Sequence, residues 1–438
     1  MQYIADIKSG TTPKERDENL KNGIILLKTS DIRNNILQDK QHDYFYIDEK
    51  TNNSMKSSQL KESDILINIV GATTDVIGRV SFVPKYFPKS NITQAMSFIR
   101  VSNSSYNAET LFIFLQSKYG NKQTRRIARP TGQYNINNEE LGSYKIPLFS
   151  LPFQSKIETM VKNADQKLGN SKMLYTQAEN LLISELRLEN FNPLNEKVSI
   201  KTLKESFLKT GRLDSEYYQV KYDEYLRKIK LNKHTTISNE FGLIKEKMKS
   251  GLGSYHYVEI GDVNVSDGKS EPQLIDEKDL PANAKILPQK GDLLVSKVRP
   301  NRGAISIIEE DYSNLVVSGA FAVLREKKES DYKVETLKTL LRTPIYLDWL
   351  LKFNVGTSYP VITDEDILSL PIPIIKSKVQ NEIASYIKQS MEYSKKAKEL
   401  LEISTKAVEI AIDKDEQTAH NFLDRQTDRH TDRQTDRH

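Results

Sequence analysis

Cysteine is absent from the chain. That excludes a disulfide framework, a thiolate nucleophile, and thiolate-bound zinc or iron–sulfur clusters. Nowhere do 18 apolar residues follow one another, so no membrane-spanning helix is predicted. The opening MQYIADIKSGTTPKERDENL has no basic stretch followed by an apolar one, and no secretion signal is read there. These absences point to a cytoplasmic protein. The signatures of catalysis on nucleotides and nucleic acids are missing too. There is no Pro-Asp dipeptide, no Asn/Asp-Pro-Pro-aromatic methyltransferase motif and no Gly-x4-Gly-Lys-Ser/Thr phosphate loop. Asn192-Pro193-Leu194 falls short of the second of these. Gly71 and Gly78 in GATTDVIGRV read as a turn between strands, not as a phosphate cradle. Glu326-Lys327-Lys328 reads as a solvated charge run. The six histidines sit at no metal-ligand spacing, so neither a metal site nor a cofactor is expected in this chain.

Charge of one sign is not in great excess either. Lys and Arg number 64 against 59 Asp and Glu, a net +5 over 438 residues. Such a balance permits a polyanionic partner without demanding one. The length allows two or three domains with their own cores.

What the chain does contain is itself, twice. GQYNINNEELGSYKIPLF (132–149) slides onto SYPVITDEDILSLPIPII (358–375) by 226 residues, so that Ile136 meets Ile362, Glu140 meets Asp366 and Pro147 meets Pro373. The same offset pairs Glu109-Thr110-Leu111 with Glu335-Thr336-Leu337, Gln154 with Gln380 and Ile157 with Ile383. Upstream, at nearly the same offset, Asp64 matches Asp292, Gly78 matches Gly303 and Ala95 matches Ala320. Repeats govern the fold. Each half runs in one order: β-rich segments such as DILINIV (64–70) and DLLVSKV (292–298), a short helical pattern, the quoted stretch, and a long helix.

The two long helices carry matching seams. In residues 153–190, Ile157, Val161, Ala164, Leu168, Ser171, Tyr175, Ala178 and Leu182 recur by four and three. In residues 379–412, Ile383, Ile387, Ser390, Ser394, Ala397, Leu401, Ser404, Val408 and Ala411 do the same. A period near 3.5 marks coiled-coil partners, so the two helices are expected to pack on each other. Roughly 35 residues at ~1.5 Å each make rods of about 50 Å. Two similar domains on paired rods form an internal pseudo-dimer. Such rods are commensurate with DNA half-sites about 34–36 Å apart, read across an unread spacer. The expected architecture is α+β: recognition domains at 1–150 and 193–375, spacer helices at 151–192 and 376–413, and a low-complexity disordered tail at 414–438.

This plan resembles the specificity subunits of type I restriction–modification systems. The residues that carry the resemblance are SGTTPK (9–14), LKTSDI (27–32), VGATTDVIGRV (70–80), and GQYNIN with KIPLF (132–149). In the second half they are VEIGDV (258–263), GDLLVSKV (291–298), ITDEDILSLPIPI and QNEIASYI (362–387). The resemblance implies two target-recognition domains joined by two antiparallel helices. It implies a non-catalytic reader of double-stranded DNA that recruits two adenine-N6 methyltransferase subunits and, for cleavage, two ATP-driven restriction subunits. S-adenosylmethionine, ATP and Mg would then sit on those partners. Against the family plan, the segment before SGTTPK is short, and the second half carries a long lead-in, FLKTGRLDSEYYQVKYDEYL (207–226). Two alternatives stay open. One is the specificity subunit of a type IIB-like system with a fused nuclease–methyltransferase partner. The other is a coiled-coil scaffold whose β-rich domains bind protein or glycan.

Candidate DNA contacts cluster at repeat-related places. KQTRRIARPTGQYN holds Arg125, Arg126 and Arg129 beside Gln133, Tyr134 and Asn135, and SKVRPNRG holds Lys297, Arg299, Asn301 and Arg302. Lys28, Thr29 and Arg33 in KTSDIRNN, and Ser358 and Tyr359 in GTSYP, complete the set. Arginine suits phosphate or guanine, and Gln or Asn suits adenine. The tail DRQTDRHTDRQTDRH (424–438) repeats every four residues. Thr-Asp-Arg-Gln can be encoded as ACA-GAC-AGA-CAG, a run of the tetranucleotide ACAG. The tail is expected to be a translated simple repeat whose length changes shift the reading frame. An invariant repeat number among single colonies would count against that. Its low apolar content predicts disorder.

Overall fold

In the computed structural model, the described residues are 1–13, 17–20, 22–38, 44–194, 196, 198–248, 251–356 and 358–435, without the side chains of residues 131 and 427–435. Lys14 of the SGTTPK motif and Thr357 of GTSYP lie outside them. The chain divides into two compact units, Met1–Asn170 with Tyr393–His438 (unit 1) and Ser171–Glu392 (unit 2).

In unit 1 an antiparallel sheet runs Ala5–Ser9, Met96–Val101, Ile65–Asn68, Val80–Phe82. A second sheet orders Phe45–Ile47, Ile24–Leu27 and Ser90–Ile92, the last two strands parallel. Unit 2 repeats the first and widens the second by one strand. Its first sheet runs Phe241–Leu243, Phe321–Glu326, Leu293–Ser296, Ile305–Ile307. Its second pairs Ser254–Val258 with Leu315–Ser318 in parallel, flanked by Gln273–Asp276 and Ala284–Ile286.

The two short apolar runs sit at equivalent places for the same reason. Successive strand side chains point to opposite faces. Ile65 and Ile67 therefore join the core under the helix Ala108–Gln116, while Leu66 turns to the second sheet with Ile25 and Leu27. Leu293 and Val295 likewise join Leu337, Leu340 and Leu341 of the helix Val334–Leu341, while Leu294 meets Val258 and Val317. A strand buried on both faces needs apolar residues throughout, which is why these runs do not alternate with polar ones.

Polar braces repeat as well. Arg100 grips Asp64 through Nε and Nη2 at 2.7 and 2.6 Å, and Arg325 grips Asp292 in the same way at 2.7 and 2.8 Å. Each aspartate also accepts a backbone N–H three residues before it, from Lys61 and Gln289. Gln154 accepts from the Asn107 N–H and Gln380 from that of Lys333, each at 2.9 Å. Lys162 faces Glu109, and Lys388 faces Glu335.

The long helices are Leu151–Glu185 and Ser377–Asp413. Within unit 1, Ile157 and Val161 from the start of the first share a core with Ala407 and Val408 from the end of the second. Within unit 2, Ala178 and Leu182 share a core with Ile383 and Ile387. The two helices therefore run antiparallel. Ala164 and Ala397 are also buried, Leu168 is half-buried, and Leu401 packs against the unit 1 core. The first helix stops short of residue 192. Arg187 adopts a left-handed conformation, φ 53°, and Leu186 and Leu188 turn into the unit 2 core.

The tail departs from its expected disorder. Glu416–Thr435 is helical. Ala419 and Leu423, one helical turn apart, are buried in the unit 1 core with Phe149 and Phe153. His420 stands edge-on to Phe153, 5.5 Å between rings. Glu416 accepts from the Ser150 N–H at 2.9 Å, and Lys156 pairs with Asp424 at 2.7 Å. Composition alone predicts disorder because the segment has too few apolar residues for a core of its own. Here two suffice, since unit 1 already supplies the apolar surface.

Candidate nucleic-acid interface

One strand-end geometry occurs in both units and collects most of the candidate contacts. In unit 1 the strand Ile65–Asn68 continues into Val70–Gly71, which pairs with the hairpin strand Gln133–Asn135; Val70 is opposite Asn135 and Gly71 opposite Tyr134. The other hairpin strand, Arg129–Thr131, sets Arg129 opposite Asn135. Arg125 and Arg126 occupy the last turn of the helix Lys118–Ile127 that feeds the hairpin, and both are exposed. In unit 2 a single bridge joins Val298 to Val361, the repeat counterparts of Val70 and Asn135. It brings Arg299, which leads into the turn carrying Asn301 and Arg302, beside Tyr359, far off in sequence. The Arg299 guanidinium lies over the Tyr359 ring at 5.5 Å, and the Arg299 N–H donates to the Pro360 carbonyl at 2.7 Å. Asn301, Arg302, Ser358 and Tyr359 are exposed.

The remaining candidates are partly spoken for. Lys28 pairs with Asp31 at 3.1 Å and lies over the Phe45 ring at 4.5 Å, bracing the short turn Thr29–Asp31. The Thr29 carbonyl accepts from the buried Asn68 amide, which also donates to Val76 and so ties this turn to the exposed loop 72–75. Arg33 is half-buried in the hairpin Ile32–Arg33 with Ile36–Leu37. Lys297 pairs with Asp364 at 2.9 Å, and Arg129 with Glu140 at 2.9 Å. The chemistry presented is guanidinium, amide, hydroxyl and phenol groups around a strand end. That set suits phosphate oxygens, base edges and stacking.

Beneath the unit 2 loop lies a group that exposed basic clusters in the sequence do not reveal. The buried Arg342 and Lys338 stand there with the half-buried Lys269, Asp267, Glu309, Tyr175 and Glu179. Burial pushes the Lys338 ammonium down to about 8. It pushes the Tyr175 hydroxyl up to about 12, with the Arg342 charge opposing, and it raises the Glu309 and Glu179 carboxyls. One sequence signal does point there: Lys338 and Arg342 stand four apart inside the apolar run VETLKTLLRTP, where neither charge belongs on amphipathic grounds.

A family model for the type I restriction modification DNA specificity domain matches residues 3–180 and again 229–403. Over 134 residues the chain is 31% identical to the type I restriction enzyme HindI specificity subunit of Haemophilus influenzae; that stretch is 30% of this chain and 28% of the relative's length. The S subunit of a type I restriction–modification system from M. genitalium aligns over 93% of both chains, with 12% identity and a TM-score of 0.41. The HsdS subunit from Thermoanaerobacter tengcongensis aligns over 94% of this chain and 97% of its own, with 13% identity and a TM-score of 0.28. The two family matches fall on the two copies that internal repetition, sheet order and the shared strand-end geometry define independently, and the chain belongs to the type I restriction modification DNA specificity family.

Proposed function

We propose that each unit reads one half of a bipartite, asymmetric duplex target, and that the chain performs no chemistry itself. The observation that carries this reading is the doubled strand end, Val70 against Asn135 and Val298 against Val361. Each copy is surrounded by a different set of exposed basic, amide and aromatic side chains. A common frame with divergent tips is what reading two unlike half-sites requires. Phosphate contacts would come from Arg125, Arg126, Arg302 and their neighbours, and base-edge contacts from Gln133, Asn135 and Asn301. Helices of 35 and 37 residues are long enough to hold half-sites a fixed distance apart. They would dock two adenine-N6 methyltransferase subunits and, in a cleaving complex, restriction subunits. Such a complex works on chromosomal DNA in the cytoplasm.

The test is a long-read map of N6-methyladenine in cells carrying this gene with its neighbouring methyltransferase, against a strain lacking this gene alone. The expected result is a split motif, two short specified halves around a fixed gap, lost with the gene. An unchanged methylome together with salt-insensitive binding of the purified complex to duplex DNA would overturn the reading, because DNA binding through phosphates weakens steeply with salt.

A further inference from the structure

Arg342 follows the helix Val334–Leu341 and is 9% exposed. Its guanidinium donates to four acceptors from three distant parts of unit 2. Nη1 reaches the Gly303 carbonyl at 2.5 Å. Nη2 reaches those of Val265 and Ser266 at 2.9 and 2.8 Å. Nε reaches the Tyr175 hydroxyl at 2.6 Å. Gly303 closes the turn Pro300–Arg302 that displays Asn301 and Arg302. Val265 and Ser266 form the tip of the hairpin Val263–Asn264 with Lys269–Ser270. Tyr175 belongs to the first long helix.

The loop from Arg299 to Gly303 does not hold its shape by local preference. Arg299 has φ 48° and Gly303 φ 75°. A non-glycine residue in the left-handed region costs about 1 kcal/mol and persists only where its surroundings enforce it. One end of the loop is pinned by Pro360, the other by Arg342. Gly268 packs closely against the guanidinium: a Cβ there would come 2.9 Å from Nη1 and 2.4 Å from the Ile305 carbonyl. A planar, permanently charged fork with five donors can hold this many carbonyls at once, whereas an ammonium on a flexible stem would not fix their directions. At the matching place in unit 1 stands Gln116, which accepts from Asn35 at the tip of the equivalent hairpin, at 3.3 Å. The strut position is thus shared, and in unit 2 it is extended to the long helix.

We infer that Arg342 is a positioning residue for second half-site specificity, fixing the loop that carries Asn301 and Arg302 to the hairpin tip and to Tyr175. This rests on the proposed DNA-reading function. The test uses the full chain in complex with its methyltransferase subunits and a set of duplexes. The duplexes bear single base-pair substitutions in either half of the motif found by methylation mapping. Asn301→Ala and Arg302→Ala identify the half that unit 2 reads.

Arg342→Gln is expected to cut discrimination against substitutions in that half by about tenfold, since one mismatch ordinarily costs about 1–3 kcal/mol. The other half should be unaffected. Tyr175→Phe keeps the three carbonyl bonds and loses the hydroxyl's bonds to Arg342 and Glu179, so about a fivefold loss in the same half is expected. Unchanged discrimination in both variants overturns the inference, and so does a uniform loss of affinity for every duplex. If Arg342→Gln fails to fold, as reported by Trp349 fluorescence, Tyr175→Phe decides alone. If wild type favours neither half, or if neither Asn301→Ala nor Arg302→Ala changes preference, the DNA-reading function is what fails.

Discussion

The two units share a frame and differ beneath their tips. Asp64–Arg100 and Asp292–Arg325, Gln154 and Gln380, and Lys162–Glu109 and Lys388–Glu335 occupy the same places in the two copies. Yet where unit 2 has the buried Lys338 and Arg342 and the half-buried Tyr175, unit 1 has Phe112, Gln116 and Leu401. At the short turn before the first hairpin, Lys28 in unit 1 answers to Glu259 in unit 2, each donating its backbone N–H to an aspartate three residues on. The braces that keep sheets in register are under one constraint in both copies. The layer supporting the tips differs between the copies, as the proposed reading of two unlike half-sites requires.

The shared frame should be the costliest thing to break. Asp64 and Asp292 are each 1% exposed or less, and removing either leaves an arginine without its carboxylate and a backbone N–H without its acceptor. The arginine left behind is about a third exposed, but three hydrogen bonds to a charged carboxylate are lost at once. Asp64→Ala and Asp292→Ala should therefore each destabilise their own unit by about 3 kcal/mol. The single tryptophan, Trp349, is buried in unit 2. Denaturant unfolding followed by its fluorescence should shift for Asp292→Ala and hold for Asp64→Ala. A shift in both would mean that the units do not unfold separately.

Next comes the terminal helix, which closes the unit 1 core. Truncation after Asp413 removes the burial of Ala419 and Leu423, worth about 2–4 kcal/mol with the cavity left behind. Hydrogen exchange near Phe149 and Phe153 should speed accordingly, while the methylation motif stays the same. Truncation after Gln426 should change neither. Faster exchange in the chain ending at Gln426, or unaltered exchange in the chain ending at Asp413, would contradict the docked helix.

How much of this was legible in the sequence follows from how local each feature is. The repeat, the long helices and the clusters around Gln133 and Arg299 are written in short stretches whose spacing is itself the signal. The pairing of Arg342 with Tyr175 spans 167 positions, and no periodicity links them. Lys28 looks like a contact for DNA because its neighbours are polar; its seat on Asp31 and Phe45 emerges only when the turn closes. The tail misleads for the opposite reason. Its repeated charges draw attention from Ala419 and Leu423, whose four-residue spacing is a helical stripe once a surface exists to receive it.

The buried Lys338 offers a pH test of the divergent layer. Its folded pKa lies near 8 against an ordinary 10.5. The unfolded chain therefore binds the proton more tightly, and folding carries a penalty that is fully present below pH 8 and fades as pH rises toward 10.5. At about 1.36 kcal/mol per unit the penalty is about 3 kcal/mol. Glu309 partly offsets it, so Lys338→Met alone leaves that carboxylate exposed to the same burial. The double variant Lys338→Met with Glu309→Leu gives unit 2 an apolar contact like that of Phe112. It should match or exceed wild-type stability by about 1–3 kcal/mol at pH 7, with the advantage shrinking between about pH 8 and 10. An advantage constant across that window would assign the gain to packing instead.

The smallest effect should come from the helix crossing in unit 2, where Ser171 donates to the Ser390 carbonyl at 2.7 Å and Ser390 returns the bond to Ser171 at 2.8 Å. Under the 226-residue offset these positions correspond to Ala397 and Ala164 in unit 1. The equivalent pair is also small and buried, but carries no hydroxyls. Both carbonyls remain available to their own helices when the hydroxyls go, so no buried acceptor is stranded, and each lost bond is worth about 1 kcal/mol or less. Ser171→Ala with Ser390→Ala should lower the Trp349-reported stability by about 1–2 kcal/mol and leave both half-sites read as before. A change in half-site preference would show that the serine pair fixes helix register as well as contact. The crossing would then belong with the divergent layer rather than with the frame.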